Sequence, residues 1–418
     1  MATDTIDILV YADWQPMADA GSVYIGVFSA QQAKGRKSFS FEYDPNWLKK
    51  NKQITLDPDI GWFGGQQYPI NKQNFGIFAD SMPDTWGRTL MKRRAAIQAK
   101  EQKKTPAMLN ETDFLLGVYD ETRMGALRFK LDPNGPFLDD NRLMPTPPWA
   151  RIRELQHAAE VYESDSENAE IKEWINILIT PGSSLGGARP KANILDEFGN
   201  LWIAKFPSML DEINKAAWEY LAYLLAQNCG IIMSESKLEK VAGKHNTFFT
   251  KRFDRQGKDR IHFASAMTMV GKNEEILRNS EASYLELVDV ITSYGAQPEA
   301  DLEQLWRRIV FHIAISNTDD HLRNHGFILT PKGWILSPAF DINPSIDKAG
   351  LALNVDDHNN ALDFELAKSV GEYFRLSEKQ MDQIITEVIS SVSSWRNVAK
   401  VIGIPRSEQE LMAGAFRV

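Results

Sequence analysis

The stretch Asn317-Thr318-Asp319-Asp320-His321-Leu322-Arg323-Asn324 gathers acids, amides, a histidine and an arginine directly after an apolar helical stripe through Leu302, Leu305, Ile309 and Ile313. Such an abrupt change to polarity needs a reason. Asp319 precedes Asn324 by five positions. Protein-kinase catalytic loops use this spacing, the Asp accepting the proton of a substrate hydroxyl and the Asn holding magnesium. Downstream, 326–330 and 334–337 flank the turn Pro331-Lys332-Gly333 and read as a β-hairpin. Counting outward from Lys332 sets position 324 opposite 340, so Asn324 and Asp341 should emerge side by side and offer hard oxygen ligands to one ion. Two other readings of these residues stay open. Loop Asp and Asn commonly serve as turns and caps, and Asp319, Asp320, His321 and His325 could form a His–Asp metal site.

A second cluster lies upstream. The run Gly182-Ser183-Ser184-Leu185-Gly186-Gly187-Ala188-Arg189-Pro190-Lys191 is glycine-rich but lacks the spacing of a Walker loop or a dinucleotide fingerprint. With a turn centred near Phe198, Lys191 and Lys205 fall opposite each other across a hairpin. Like charges so placed are unfavourable unless an anion sits between them, and phosphate is the natural candidate. Glu219, among Ala216, Ala217, Tyr220 and Leu224, could pair with Lys205 as the small-lobe lysine and helix glutamate of kinases do. The plainer alternatives are a surface loop beside an exposed hairpin, and an exposed helical glutamate.

The elements that must position these residues follow from periodicity. Strand-like runs cover 6–11, 22–28 and 38–43, and a helical pattern covers 85–100. A stretch rich in Pro, Asp and Asn from 131 to 150, with Pro145, Pro147 and Pro148, marks a linker between an amino-terminal unit at 1–130 and a second unit at 151–254. That second unit reads as a helix at 152–162, the glycine loop, strands at 191–195 and 201–206, a helix at 214–227, and a strand pair at 237–241 and 247–253. From 255 to 418 the pattern is mostly helical, at 283–294, 301–315, 362–371, 377–390 and 407–416. The expected class is α+β.

Composition narrows the function classes. The 418 residues are 43% hydrophobic and 25% charged, as in an ordinary globular chain, and 47 Lys+Arg against 56 Asp+Glu give a formal charge of -9. An acidic chain has no general attraction to nucleic acid or anionic lipid. The single cysteine, Cys229, sits in an apolar helical pattern and reads as a small buried residue, so no internal disulfide is expected and a reducing compartment fits. Residues 1–10 lack the basic start of a secretory signal and no apolar run reaches the length of a membrane span, so a cytoplasmic protein is expected.

Taken together, these segments resemble the HipA family of bacterial toxin kinases over nearly the whole chain. The resemblance is carried by 184–191, by Trp202-Ile203-Ala204-Lys205-Phe206-Pro207, Arg252-Phe253-Asp254-Arg255, 317–324 and Pro338-Ala339-Phe340-Asp341. Phe78-Ala79-Asp80-Ser81-Met82-Pro83-Asp84 and Gly125-Ala126 extend it into the amino-terminal unit. It implies a HipA-like kinase fold: an amino-terminal mixed α/β subdomain, a small nucleotide-binding lobe, and a mostly helical large lobe like that of phosphatidylinositol kinases. ATP and Mg2+ would be the cofactors. Asp319 would be the base, with His321 supporting the loop, and Asn324 and Asp341 would hold the metal. Ser184, Gly186, Gly187, Ala188, Arg189, Lys191, Lys205 and Glu219 would surround the phosphates, and 251–253, with Lys251 and Phe253, would face the adenine. Ser184, or its neighbour Ser183, would be autophosphorylated.

The resemblance also implies partners. These are a HipB-like DNA-binding antitoxin, DNA only through that antitoxin, and a protein substrate of which an aminoacyl-tRNA synthetase is one candidate. The chain departs from the family pattern after Arg255, where His262-Phe263-Ala264-Ser265 replaces a His followed closely by acids, and at Asp320, where some members carry Gly. Two competing readings remain: an ATP-binding corepressor with weak catalysis that acts through the antitoxin, and a metal-dependent hydrolase built on the Asp and His cluster.

Overall fold

Ile8, Val10 and Ala12 alternate with more exposed neighbours along the first strand, the period-2 pattern of a sheet with one packed face. The computed structural model describes every residue except 1–3, 15–20, 34–35, 52, 107, 141–145, 165–170, 183, 185–186 and 188. The chain divides into two compact units, one of residues 1–210 with 251–264, the other of residues 211–250 with 265–418. Each is described by itself.

In the first unit, β1 (Asp4–Ala12), β2 (Val23–Ala33), β3 (Arg36–Tyr43) and β4 (Leu127–Lys130) form an antiparallel sheet in the order β3-β2-β1-β4. The first and third contain the expected runs, and the second covers all of its run but Ser22 and extends well beyond it; β4 carries no long alternating signal and was not foreseen. Behind the sheet, Phe28, Phe41, Phe75, Phe78 and Phe129 are buried, with Phe78 meeting Phe28 at 4.3 Å and Phe41 at 5.5 Å between ring centres. Helices follow at Thr85–Glu101, Ile152–Glu163 and Ile171–Gly182. Sequence reasoning missed the last, because its β-branched residues and Pro181-Gly182 argue locally against a helix. A hairpin of Lys191–Leu195 and Leu201–Lys205 completes the unit.

The second unit opens with the helix Lys215–Asn228 and a hairpin that pairs Ser236–Glu239 with residues 247–250. Cys229 is buried just beyond that helix, as its apolar setting predicts, and burial pushes its thiol up to about 12. At the centre lies the helix Pro298–Ala314, with Leu302, Leu305, Trp306, Ile309, Val310 and Ile313 wholly buried. It starts three residues before the expected Asp301 because Pro298, with its φ already fixed, occupies the first turn. Tyr284–Tyr294 and Glu378–Ser393 are helical as expected. The helix Trp395–Ile402 was not anticipated; its Trp395 stacks on Phe416 at 4.2 Å, and both rings lie 6.1 Å from Trp218. No helix among the described residues is long and apolar enough to cross a membrane.

Candidate active site

Two residues beyond the central helix, Ser316 takes a left-handed φ of 50° and turns the chain sharply into 317–325. A side chain in that region costs about 1–3 kcal/mol and persists only where its surroundings fix it. Here the Ser316 carbonyl accepts the Ser345 N–H at 3.2 Å, and its Oγ accepts from Arg417 Nε at 3.1 Å. The loop is then closed by its own bonds: His321 N–H to Asp319 O at 3.0 Å, Asn324 N–H to His321 O at 2.8 Å, and Asn324 Nδ2 to Asp319 O at 3.0 Å. Asn324 is buried and its amide orientation is set by that last bond, whereas the Asp319 side chain is 77% exposed and has Lys348 Nζ at 3.9 Å.

Asp341 sits beyond the hairpin of Gly326–Thr330 and Gly333–Leu336. Thr330 pairs with Gly333 and Phe327 with Leu336, so Pro331-Lys332 is a two-residue turn. The register therefore differs by one position from the expected centring on Lys332, and its continuation sets 324 opposite 339, not 340. The physical reason is that Gly333, at φ 133°, joins the ladder instead of the turn. Asp341 lies outside the ladder; its placement comes from the Ala339 N–H bond to Ile232 O at 2.8 Å and from its own left-handed φ of 58°.

Asp320, one residue from the exposed Asp319, is buried. Its Oδ2 accepts from Tyr284 OH at 2.5 Å, His312 Nδ1 at 2.8 Å and His325 Nε2 at 2.8 Å. Burial by itself would raise its pKa, but the two imidazoles overcome this and hold the carboxyl well below the ordinary carboxylate range. Burial, and then Asp320, raises the Tyr284 hydroxyl well above its usual value. Among the described residues His312, Asp320 and His325 are the His and acidic groups close enough to share an ion. They are not the expected set, since Asp319 and His321 stand outside. His321 contributes through its backbone, and its ring Nδ1 is buried with no hydrogen-bond partner. Tyr284 and His312 were missed by sequence reasoning, although a histidine inside an apolar helical stripe was a readable signal.

In the first unit, Lys191 pairs directly with Lys205 in the hairpin, as the sequence predicts, and Lys191 is buried. Gly187 has a φ of 72°, a left-handed conformation that favours glycine, and a Cβ there would lie 2.7 Å from Lys191 Nζ. Its N–H donates to Asp84 Oδ2 at 3.2 Å and its carbonyl accepts the Trp86 N–H at 2.9 Å. Asp84 thus ties the amino-terminal motif to the glycine loop, a role sequence reasoning did not assign. Ser184 is buried, its Oγ accepting from Asn193 Nδ2 at 2.9 Å. Asn193 Oδ1 in turn accepts from Arg252 Nη1 at 3.0 Å. Ser183, Gly186 and Ala188 lie outside the described residues. Arg189, Lys205, Lys251 and Phe253 are half-buried.

Arg252 belongs to a wholly buried network. Asp254 accepts from Arg252 at 2.6 and 2.8 Å, Arg255 at 2.7 Å and the Gly125 N–H at 2.8 Å. His262, at the departure from the family pattern, is spent on packing: it stacks on Trp14 at 4.8 Å, and burial lowers it to about 3. Glu219, on the Lys215–Asn228 helix of the second unit, is buried.

These features describe an α+β protein whose first unit sets Gly187 against Lys191, the partner of Lys205 in a hairpin, and whose second unit carries Asp319 and Asn324 on one closed loop. The sequence matches the HipA-like C-terminal domain over residues 183–396 and the HipA N-terminal domain over 20–130, and the chain belongs to the HipA family. The fold is similar to that of HipA in a complex of HipA, HipB and operator DNA from Shewanella oneidensis MR-1. The TM-score is 0.62 at 17% identity, covering 94% of this chain and 93% of that one. A weaker likeness, TM-score 0.34 at 15% identity, is to the proinflammatory kinase CtkA of Helicobacter pylori, over 50% of this chain and 92% of that one. Comparison with curated proteins gives no match.

Proposed function

We propose that the chain is an ATP- and Mg2+-dependent serine/threonine protein kinase, the toxin of a HipA/HipB-like toxin–antitoxin pair. The observation that carries this reading is the closed loop 317–325. Asn324 gives its amide N–H to the Asp319 carbonyl, which turns its carboxamide oxygen away from that group, while the neighbouring Asp319 carboxylate stands in solvent where a hydroxyl can reach it. Asn324 and Asp341 are hard oxygen donors of the kind magnesium takes.

ATP would supply the phosphoryl group, and magnesium would offset the charge developing on it. Asp319 takes the proton of the substrate Ser or Thr as its oxygen bonds to phosphorus and the bond to the ADP oxygen breaks. Lys205 and Lys191 meet the phosphates, Lys251 and Phe253 face the adenine, and Glu219 has the role of the helix glutamate. Ser184 takes phosphate in autophosphorylation, and to do so it must leave Asn193.

The partner would be a HipB-like antitoxin. With a formal charge of -9 the chain has no general pull toward DNA, so DNA would be reached through that partner. An aminoacyl-tRNA synthetase is the first protein substrate to test, and the cytoplasm is the matching site of action. Intact mass before and after incubation with Mg2+ and ATP tests the reading: a gain of one or more phosphoryl groups is expected. No gain, with ATP still bound in calorimetry, would replace it by the corepressor reading.

A further inference from the structure

We propose that Asp320 is the positioning residue of the 317–325 loop, a buried carboxylate that staples the loop shut and so fixes the exposed Asp319 against Asn324. The proposal rests on the functional reading above for the roles of those two residues.

One oxygen, Asp320 Oδ2, receives donors from three separate elements. Tyr284 opens the helix Tyr284–Tyr294, His312 lies in the last turn of Pro298–Ala314, and His325 directly precedes the strand Gly326–Thr330. All four residues are at most 2% exposed. The bonds from His312 Nδ1 and His325 Nε2 place a proton on each of those atoms, and His312 Nε2 and His325 Nδ1 have no hydrogen-bond partner. Arg308, one turn before His312, is the nearby cation, anchored by its bond to Ser337 O at 2.6 Å.

The arrangement differs from a metal centre, because the carboxylate oxygen itself stands where the donors converge. Its consequence is geometric. The bond between Asp320, inside the loop, and His325, at its end, closes 320–325 from the buried side, while Asn324 Nδ2 to Asp319 O closes 319–324 from the other. Two adjacent carboxylates are thereby given opposite environments: Asp320 is locked in the core, and Asp319 is held in solvent at a set distance from the Asn324 amide.

Asp320→Asn keeps the size but removes the charge. Hydrogen exchange of the 319–325 amides should speed up, kcat for a peptide substrate should fall roughly 10- to 100-fold with KM for the peptide little changed, and the Mg2+ concentration for half-maximal activity should rise. His325→Gln, whose Nε2 can replace the imidazole donor, should keep slow exchange and most activity; His325→Leu should not. Unchanged exchange and kcat in Asp320→Asn would overturn the proposal, as would equal behaviour of the Gln and Leu variants or stoichiometric zinc in the purified protein. If Asp320→Asn fails to fold, the His325 pair decides. A wild-type protein without phosphoryl transfer would end the kinase reading, and the exchange measurements would still judge the staple.

Discussion

Lys191 stands directly across from Lys205 on the first unit's hairpin, with Gly187 packed against the Lys191 ammonium. Under the proposed function, two ammonium groups on one rung can both donate charged hydrogen bonds to a phosphate chain. Lys205→Ala is therefore expected to weaken ATP binding roughly 10- to 100-fold, the worth of one charged hydrogen bond. Lys104→Ala, at an exposed position in the same unit, should change nothing. Calorimetry giving equal affinities for wild type and Lys205→Ala would reject the nucleotide role of the hairpin.

Asp319→Ala and Asp341→Ala should each abolish phosphoryl transfer without unfolding the chain. The side chain of the first is mostly exposed and the second is half-buried, so neither removal opens a core cavity. Loss of a general base lowers kcat about 10²- to 10⁴-fold. Mg2+-dependent nucleotide binding separates the two: Asp341→Ala should weaken it and Asp319→Ala should leave it alone. Near-wild-type transfer in both would show that the base and metal ligand lie elsewhere.

Ser184 is buried against Asn193, so its phosphorylation requires the glycine loop to open. A phosphoserine carries about -1.5 to -2 charges and could not return to that pocket, which would hold the loop out and lower ATP affinity. Tandem mass spectrometry of the 182–191 peptide after ATP treatment should find the phosphate. Its absence, or a phosphorylated form that binds ATP as tightly as Ser184→Ala, would defeat the prediction.

Asp254→Asn should destabilise the first unit by about 3–5 kcal/mol, because it leaves Arg252 and Arg255 buried without their anion. Burial opposes the charged form of Asp254, yet the two guanidiniums prevail and hold its pKa well below the usual carboxylate range. A depressed native pKa contributes stability above the unfolded value of about 3.9 and loses it as pH falls below that value toward the native one. Urea midpoints at neutral pH and at successively lower pH should show the wild-type advantage shrinking on the acid side. An Asp254→Asn midpoint equal to wild type at neutral pH would contradict the network's role.

The α+β class, the family and most helices of the second unit were legible in the sequence, since apolar periodicity and motif spacing are local properties. The Lys191–Lys205 pairing was legible for the same reason: a short turn fixes the register of a hairpin. The second hairpin shows the limit. There, one glycine passing from turn to ladder shifted the pairing by a position, and the placement of Asp341 came instead from a bond to Ile232, far away in sequence.

What only the tertiary structure decided is how neighbouring residues of one chemical type divide their roles. Asp319 and Asp320 are equivalent in a string of letters. Folding surrounds Asp320 with Tyr284, His312 and His325 from three elements and leaves Asp319 in water. Likewise, Asp84 immediately precedes the helix Thr85–Glu101, but its carboxylate accepts the Gly187 N–H, 103 positions away. Sequence patterns report which face of an element avoids water; the partner of a buried polar group is chosen by long-range packing, which no local pattern contains.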